Sequence, residues 1–323
     1  METHVSLLSS IHSAEFLHNS LSESELQGSH SFIRGINTEY DKNIMLEQWL
    51  RPLNEQDDYR IQVEVEGETF WILIERLPWD SNFFSMQTAK LNAIIRPGIK
   101  SRPRDSSKNA AKAMQLALLS LKEKGIQYIF SSVSPSDLYT IRTLSANGFE
   151  LIETRCYYHR TLLPAQKRYS ARLATVEDIP SLAKAASVMV NPFDRFHADL
   201  EISEQLADRM MEAWVDASIR NGFADATIVP DESAPEAFCT AKYHQHHWDG
   251  WGLKLSQPVL SAVAPRHKGW YVKLISETDE HLREKGAEHS FLITQITNNA
   301  VIRSWEKLGY QFGKGEHIFR KML

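Results

Sequence analysis

Residues 258–323, PVLSAVAPRHKGWYVKLISETDEHLREKGAEHSFLITQITNNAVIRSWEKLGYQFGKGEHIFRKML, carry the pattern from which the fold is read. An apolar strand runs into a basic turn with a glycine, Arg266-His267-Lys268-Gly269, and then into a long amphipathic helix. A second strand, a short helix opened by Asn298 and Asn299, and a terminal strand pair follow. That order suits a pyrophosphate. The first N–H groups of a helix lack intrahelical partners, and its dipole favours an anion.

The same scaffold occurs earlier in the chain. Displacing the sequence by 161 residues lays LKEKG (121–125) on LREKG (282–286), Phe130 on Phe291, Ile141-Arg142 on Ile302-Arg303 and Gly148 on Gly309. Residues 121–149 share 8 identities in 29 gapless positions with their copy, and both copies follow the order helix, strand, helix, strand. This reads as tandem domains of one fold, against the alternative of two ordinary α/β units with similar helix caps. Where the second copy has its basic glycine turn, the first has Asp105-Ser106-Ser107-Lys108 and no glycine. Only the second copy is therefore expected to approach a phosphate closely.

The remaining segments fit two such domains. RIQVEVE and TFWILIERL alternate about Gly67 as a hairpin, LPWDSNFF (77–84) reads as an aromatic turn, and MQTAKLNAII (86–95) as a strand. Pro97, Gly98 and Pro103 precede a helix over 107–124, capped by Gly125. YIFSSV, a helix over 136–147 and the strand FELIETRCYYHRTLL close the first copy. The second opens at 171–187 as a strand and a helix with Thr175 as N-cap. A loop at 191–199, a helix over 203–220 and three strands lead back to the opening stretch. Residues 1–40 are polar, with weak periodicity and partial order at most. Tyr40 to Leu53 read as a helix with Ile44, Leu46, Trp49 and Leu50 on one side, so that the extension is partly helical. The resulting division is an extension at 1–55, a degenerate domain at 56–165 and a working domain at 170–323.

Composition narrows the function classes. A formal net charge of −5 disfavours non-specific nucleic-acid binding. Cys156 and Cys239 are the only cysteines, too few for a disulfide framework or a cysteine-based metal site. No apolar run reaches the roughly 18 residues of a membrane span, and the start lacks a signal-peptide pattern. A cytoplasmic location without membrane or metal is expected. His244, His246, His247 and Asp249 alternate between faces and read as a polar hairpin tip.

The turn at 266–271 and the run Asn298…Trp305-Glu306-Lys307-Leu308-Gly309-Tyr310 resemble the GNAT superfamily of acyl-CoA N-acyltransferases. The family's pyrophosphate loop is Arg/Gln-x-x-Gly-x-Gly/Ala, so Tyr271 replaces its last small residue, and Trp305 stands where the family places a tyrosine. LPWDSNFF, NPFDRFHAD and TQITNNAVIRSWEKLGY in that order are similar to segments of the dTDP-fucosamine (dTDP-4-amino-4,6-dideoxygalactose) acetyltransferase group. The resemblance implies an α/β (α+β) chain of tandem GNAT-like domains, each a mixed, mostly antiparallel sheet flanked by helices. It implies an acetyl-CoA-dependent N-acetyltransferase acting on a small amine, an amino-sugar nucleotide foremost, by direct attack in a ternary complex. Another amine acceptor, or a non-catalytic acyl-CoA-binding protein, stays open. A homodimer is a further arrangement that stays open.

The site follows from the same resemblance. N–H groups of Ala262, Val263 and Ala264 would face the thioester oxygen. Arg266, His267, Lys268, Gly269, Trp270 and Tyr271 would cradle the diphosphate, and Asn298, Asn299 and Trp305 would line the cofactor arm. Indole N–H does not ionise in this range. The resemblance to the amino-sugar group puts the acid on the last strand, which implies His317, an imidazole that titrates near neutrality, with Tyr310 as a weaker substitute. Phe193, Arg195, Phe196, His197 and Asp199 combine aromatic, cationic and anionic groups that suit an amino-sugar nucleotide, or else pack the loop on itself.

Overall fold

Strands β2 (Ile61–Val65) and β3 (Glu68–Arg76) turn about Glu66 and Gly67, both at positive φ. The two-residue turn matches strand twist, and Val65 pairs with Glu68 directly across it. The alternation of β3 then sorts its side chains. Ile72 and Ile74 pack with Met114, Ala117 and Leu121, while Trp71 and Leu73 pack with Leu8, Leu17, Leu21 and Leu46. Each fully buried side chain of this size contributes about 1.5–3 kcal/mol.

The computed structural model describes residues 4–51, 59–98, 107–164, 167–189 and 191–323. Pro103, Asp105 and Ser106 of the sequence reading lie outside them. Contacts divide the chain into two units. The first comprises residues 1–31, 38–153 and 316–323, and the second comprises 32–37 and 154–315.

The first unit contains β1 (His4–Leu7), α1 (Ala14–Ser22), α2 (Thr38–Leu50), β2, β3 and α3 (Pro78–Phe84). β4 (Thr88–Ile95), α4 (Ser107–Glu123), β5 (Tyr128–Val133), α5 (Leu138–Ala146) and the start of β6 (Glu150–Thr161) follow. β1 to β5 are neighbours in chain order, antiparallel except for the parallel pair β4–β5. Residues 317–322 then pair antiparallel with β5. Two expectations change here. Residues 4–22 form β1 and α1, with Ser13 capping the helix by accepting from Phe16 N at 3.2 Å. LPWDSNFF is a helix rather than a turn, with Pro78 in its first turn and Ser85 left-handed at its end.

The second unit contains the rest of β6, β7 (Ala171–Leu173), α6 (Ile179–Val188), α7 (Glu204–Arg220), β8 (Ala226–Pro230) and β9 (Ala237–Lys242). The short α8 (Trp248–Trp251), β10 (Leu255–Val263), α9 (Trp270–Glu284), β11 (His289–Gln295), α10 (Asn299–Lys307) and β12 (Gln311–Met322) complete the chain. The strand order is β6-β11-β10-β9-β8-β7, again with one parallel pair, β10–β11. α5 and β6, displaced by 161 residues, coincide with α10 and β12.

The expected terminal strand pair is one continuous strand, β12, and the expected working domain does not hold all of it. Residues 316–323 complete the first unit, whereas residues 155–161 of β6 pair with β11 in the second. Each repeat's last strand thus closes the other repeat's sheet. The boundary between units falls at 153/154, inside β6, instead of between 165 and 170.

Candidate functional site

β10 and β11 are paired only at Leu255↔His289 and Ser256↔Ser290. Seven residues of β10 and five of β11 continue beyond that point without pairing to each other. β10 also carries a bulge. Between the pairs Pro258↔Ala241 and Ser261↔Cys239 it has two residues, where β9 has only Thr240. Thr240 fills the irregularity, its Oγ1 accepting from Leu260 N at 2.9 Å. β4 of the first unit likewise has one extra residue, Asn92, opposite β3, and parts from β5 after Leu91↔Ser131.

The ladder decides which donors face the gap. Ala264 N donates to Glu236 O at 2.9 Å. Hydrogen-bonded and non-hydrogen-bonded pairs alternate in an antiparallel ladder, so Ala262 in register with Phe238 also turns its N–H toward β9. Ser261 and Val263 therefore present theirs to the opposite edge, where β10 and β11 part. Of the three expected donors Val263 faces that way, while Ala262 and Ala264 are used within the sheet. Ser261 was not foreseen, because the bulge that sets the parity has no sequence signal.

At the end of β10, residues 265–267 make one 3-10 turn and Gly269 caps α9 at φ 90°. No side chain caps α9 and no acidic residue stands in its first turn. This leaves unpaired N–H groups and the positive end of the dipole beside the exposed Lys268. The ammonium of Lys273 lies 4.7 Å from the ring centre of Trp270. The other two basic residues of the turn are engaged elsewhere. Arg266 pairs with Glu236 at 3.0 Å and donates to Ala234 O at 2.6 Å. His267 is buried and bonded to Glu232 at 2.5 Å. Both contacts tie the turn to residues 232–236 and leave Lys268 and Gly269 as its outward part.

At the end of β11, Asn298 occupies the N-cap position of α10 without capping it; its amide donates to Thr294 Oγ1 at 3.2 Å. Asn299 is exposed in the first turn. β10 and β11 are parallel, so the turn at 264–269 and residues 296–298 stand at the same end of the sheet. Ligands of open α/β sheets gather at that end.

Tyr271 and Trp305 meet between these elements. Trp305 is buried, and its indole donates to the Tyr271 hydroxyl at 2.9 Å. Burial raises the Tyr271 phenol above its ordinary range, so it stays protonated.

The two expected proton donors are not part of this arrangement. Tyr310 is buried in the core, shares a 2.8 Å hydrogen bond with Ser290 and donates to Asp279 at 2.7 Å. Burial raises its phenol well above the ordinary value. His317 lies opposite Val133 on β5 in the first unit, because the second half of β12 pairs there.

The loop at 191–199 is attached to the end of β11 by Asn191, which donates to Gln295 Oε1 at 2.6 Å. Three of its five expected ligands hold the loop itself. Phe196 is buried against Trp214, His197 sits between Asp194 at 2.7 Å and Asp208 at 3.2 Å, and Asp199 is buried, accepting from Glu201 N. Phe193 is exposed, and the Arg195 guanidinium lies over the Phe196 ring. Among the described residues no group of three or more His, Cys, Asp or Glu side chains could hold a metal ion. His244 stacks on Phe291.

The chain matches no family model and no curated protein sequence. It is similar in structure to a GCN5-related N-acetyltransferase from Sphaerobacter thermophilus, with 12% identity, a TM-score of 0.54 and coverage of 87% of this chain and 85% of that one. A tandem GNAT protein from the clavulanic acid biosynthesis pathway, solved without AcCoA, aligns over 99% of this chain and 98% of its own, with 15% identity and a TM-score of 0.53. At such identities the likeness is one of fold. The fold is the tandem GNAT fold, a mixed and mostly antiparallel sheet flanked by helices.

Proposed function

We propose that the chain is an acyl-CoA-dependent N-acyltransferase, with acetyl-CoA as donor and a small-molecule amine, foremost an amino-sugar nucleotide, as acceptor. The observation that carries this reading is the parting of β10 and β11 after two pairs, with the Ser261 and Val263 N–H groups turned into the gap. The donor would supply an acyl group already activated as a thioester. The residues present fit its diphosphate at the uncapped N-terminus of α9, where Gly269 lets the backbone approach closely and Lys268 adds charge. Arg266 and His267, bound to carboxylates, anchor this turn instead of contacting the ligand. Asn298 stands at the mouth of the gap with an amide able to orient a pantetheine amide. Ser261 and Val263 N–H are oxyanion-type donors, each worth about 2.7–4 kcal/mol in a transition state. Phe193 and Arg195 offer an acceptor the ring surface and cation that a nucleotide diphosphate needs.

Thiol release from acetyl-CoA with a panel of amines tests the reading. Turnover on an amino-sugar nucleotide above other amines is expected. Tight acetyl-CoA binding without turnover on any amine would leave a non-catalytic acyl-CoA-binding protein.

A second reading puts the chemistry in the first unit, where His317 flanks the end of β5 and β4 parts from it. Lys268→Ala and His317→Ala separate the two. Weakened acetyl-CoA binding in Lys268→Ala favours the second unit. Unchanged binding there, with turnover lost in His317→Ala, favours the first.

A further inference from the structure

In the first unit, α4 turns Ala110, Ala113, Met114, Ala117 and Leu121 into the core. Its outer face is equally regular. Lys108, Lys112, Gln115, Leu119 and Lys122 are exposed and follow one another at steps of four, three, four and three residues, which makes one straight stripe on a helix. From Lys108 to Lys122 the stripe is about 21 Å long. It lines a cavity of about 620 Å³, completed by Ala111 and Leu118 of the same helix, by Asn147 after α5, and by Lys321 and Met322 at the end of β12. All of these residues belong to the first unit. The wall is preformed: the Asn147 amide donates to Ala111 O at 3.0 Å and to Thr143 O at 2.8 Å, fixing the end of α5 on α4. Four lysines thus line one cavity of a chain whose formal net charge is −5. Lys112 has Glu66 at 3.5 Å, between two exposed side chains. Lys108, Lys122 and Lys321 have no carboxylate partner among the described residues.

We infer that this groove is the docking site of an acidic amphipathic helix from a partner protein. A helix laid along α4 meets the stripe at the same three- and four-residue steps, with its carboxylates at the lysines and an apolar side chain on Leu119. Leu119 is 55% exposed and places that apolar contact in the middle of the stripe. Other occupants fit less well. No arginine lines the groove, so the planar fork that grips a phosphate in two places is missing. No aromatic side chain lines it either, which removes the platform for nucleic-acid bases and the anchors for a lipid surface. A second copy presenting the same stripe would set lysine against lysine. A small anion would reach only part of a stripe about 21 Å long. The inference is independent of the acyl-CoA reading.

Fluorescence anisotropy of the full chain tests the site with labelled probes. One is a peptide of about 15 residues, long enough to span the stripe, with Glu and Leu at three- and four-residue helical steps. The others are its scrambled isomer and an oligo-dT of the same length, with co-sedimentation on phosphatidylserine vesicles alongside. The proteins are wild type, Lys112→Glu with Lys122→Glu, and Leu119→Asp. Wild type is expected to bind the ordered peptide at least about tenfold more tightly than the scrambled one, and each variant to lose at least about tenfold. Binding should also weaken as salt is added. Equal binding of the two peptides, unchanged binding in the charge-reversed variant, or no binding of the ordered peptide at about 1 mM would overturn the proposal. Tighter binding of oligo-dT or of vesicles than of the ordered peptide would assign the groove to another class of partner and overturn it too. Circular dichroism checks that the variants fold. Should the charge-reversed variant fail to do so, Lys112→Gln with Lys122→Gln decides, with a smaller loss in the same direction expected and no loss overturning the site.

Discussion

Arg160 and Asp279 meet at 2.8 Å inside the second unit, with Asp279 almost wholly buried on α9. Tyr310 donates to the other carboxylate oxygen, and the Arg160 guanidinium lies 5.0 Å from the Tyr310 ring centre and donates to Leu308 O. The arginine comes from β6, the aspartate from α9 and the tyrosine from the start of β12's approach. A charged pair therefore fastens three parts of the unit together. Asp279 Oδ2 has Arg160 as its ion partner but no well-aligned hydrogen bond, which leaves the carboxylate incompletely compensated.

Removing one partner strands the other charge. Arg160→Met is expected to lower unfolding stability by about 3–5 kcal/mol, and Arg160→Met with Asp279→Leu by less than the sum of the single losses. Urea unfolding of the two single variants and the double variant measures this. Additive losses would show that the pair does not interact.

Burial raises Asp279 to about 6 from an ordinary 3.8, against the pull of Arg160 and Tyr310 in the other direction. The folded chain takes up this proton at higher pH than the unfolded chain. Asp279's contribution is thus greatest below about pH 3.8, falls as pH rises to about 6, and is level above that. Between pH 4.5 and 7.5 the wild type should lose roughly 2 kcal/mol relative to Asp279→Asn. Asp178, held low by its hydrogen bond with Arg172, runs in the opposite sense and cancels in the comparison.

Burial pushes the Cys239 thiol up to about 12 and Cys156 up to about 11. Thiolate is the reactive form, so neither should react with a thiol reagent in the native protein at pH 8. Titration should find no reactive thiol before denaturant is added and two afterwards. Cys239→Ala should retain turnover, as direct attack without a covalent cysteine intermediate requires.

Gly313 carries no side chain because Phe32 lies on it. A Cβ there would stand 2.8 Å from Phe32 Cε2 and closer still to Cδ2. Phe32 also meets Tyr157 and Phe291 edge-on, fixing residues 32–37 to the second unit. Gly313→Ala should displace the ring and lower stability by about 1–3 kcal/mol, seen as a reduced Tm and faster proteolysis near residue 32.

Gly269 sits at φ 90°, with open space where a Cβ would be. Gly269→Ala therefore strains only the backbone, by about 1–2 kcal/mol. Both stability and acetyl-CoA affinity should fall, since the turn must hold its shape to present its N–H groups. Unchanged affinity would remove this turn from the donor site.

The sequence by itself determined the repeat and the order of the elements that its two copies share, because these depend on local periodicity and turn chemistry. The 161-residue displacement that aligns LKEKG with LREKG also superposes the bounds of α5 on α10 and of β6 on β12. Gly269 at the head of α9 was legible for the same reason: it is a local backbone requirement. Tertiary structure decided which strand closes which sheet. His317 lies in the first unit because pairing with Val133, 184 residues earlier, is not encoded in any nearby pattern. It also decided that Tyr310 points at Asp279 and that Arg266 binds Glu236, since a charge finds its partner only after the elements pack. Tyr271 stands between the two cases. Its departure from a small residue was visible in the sequence, but its hydrogen bond from the Trp305 indole appears only once α9 and α10 pack.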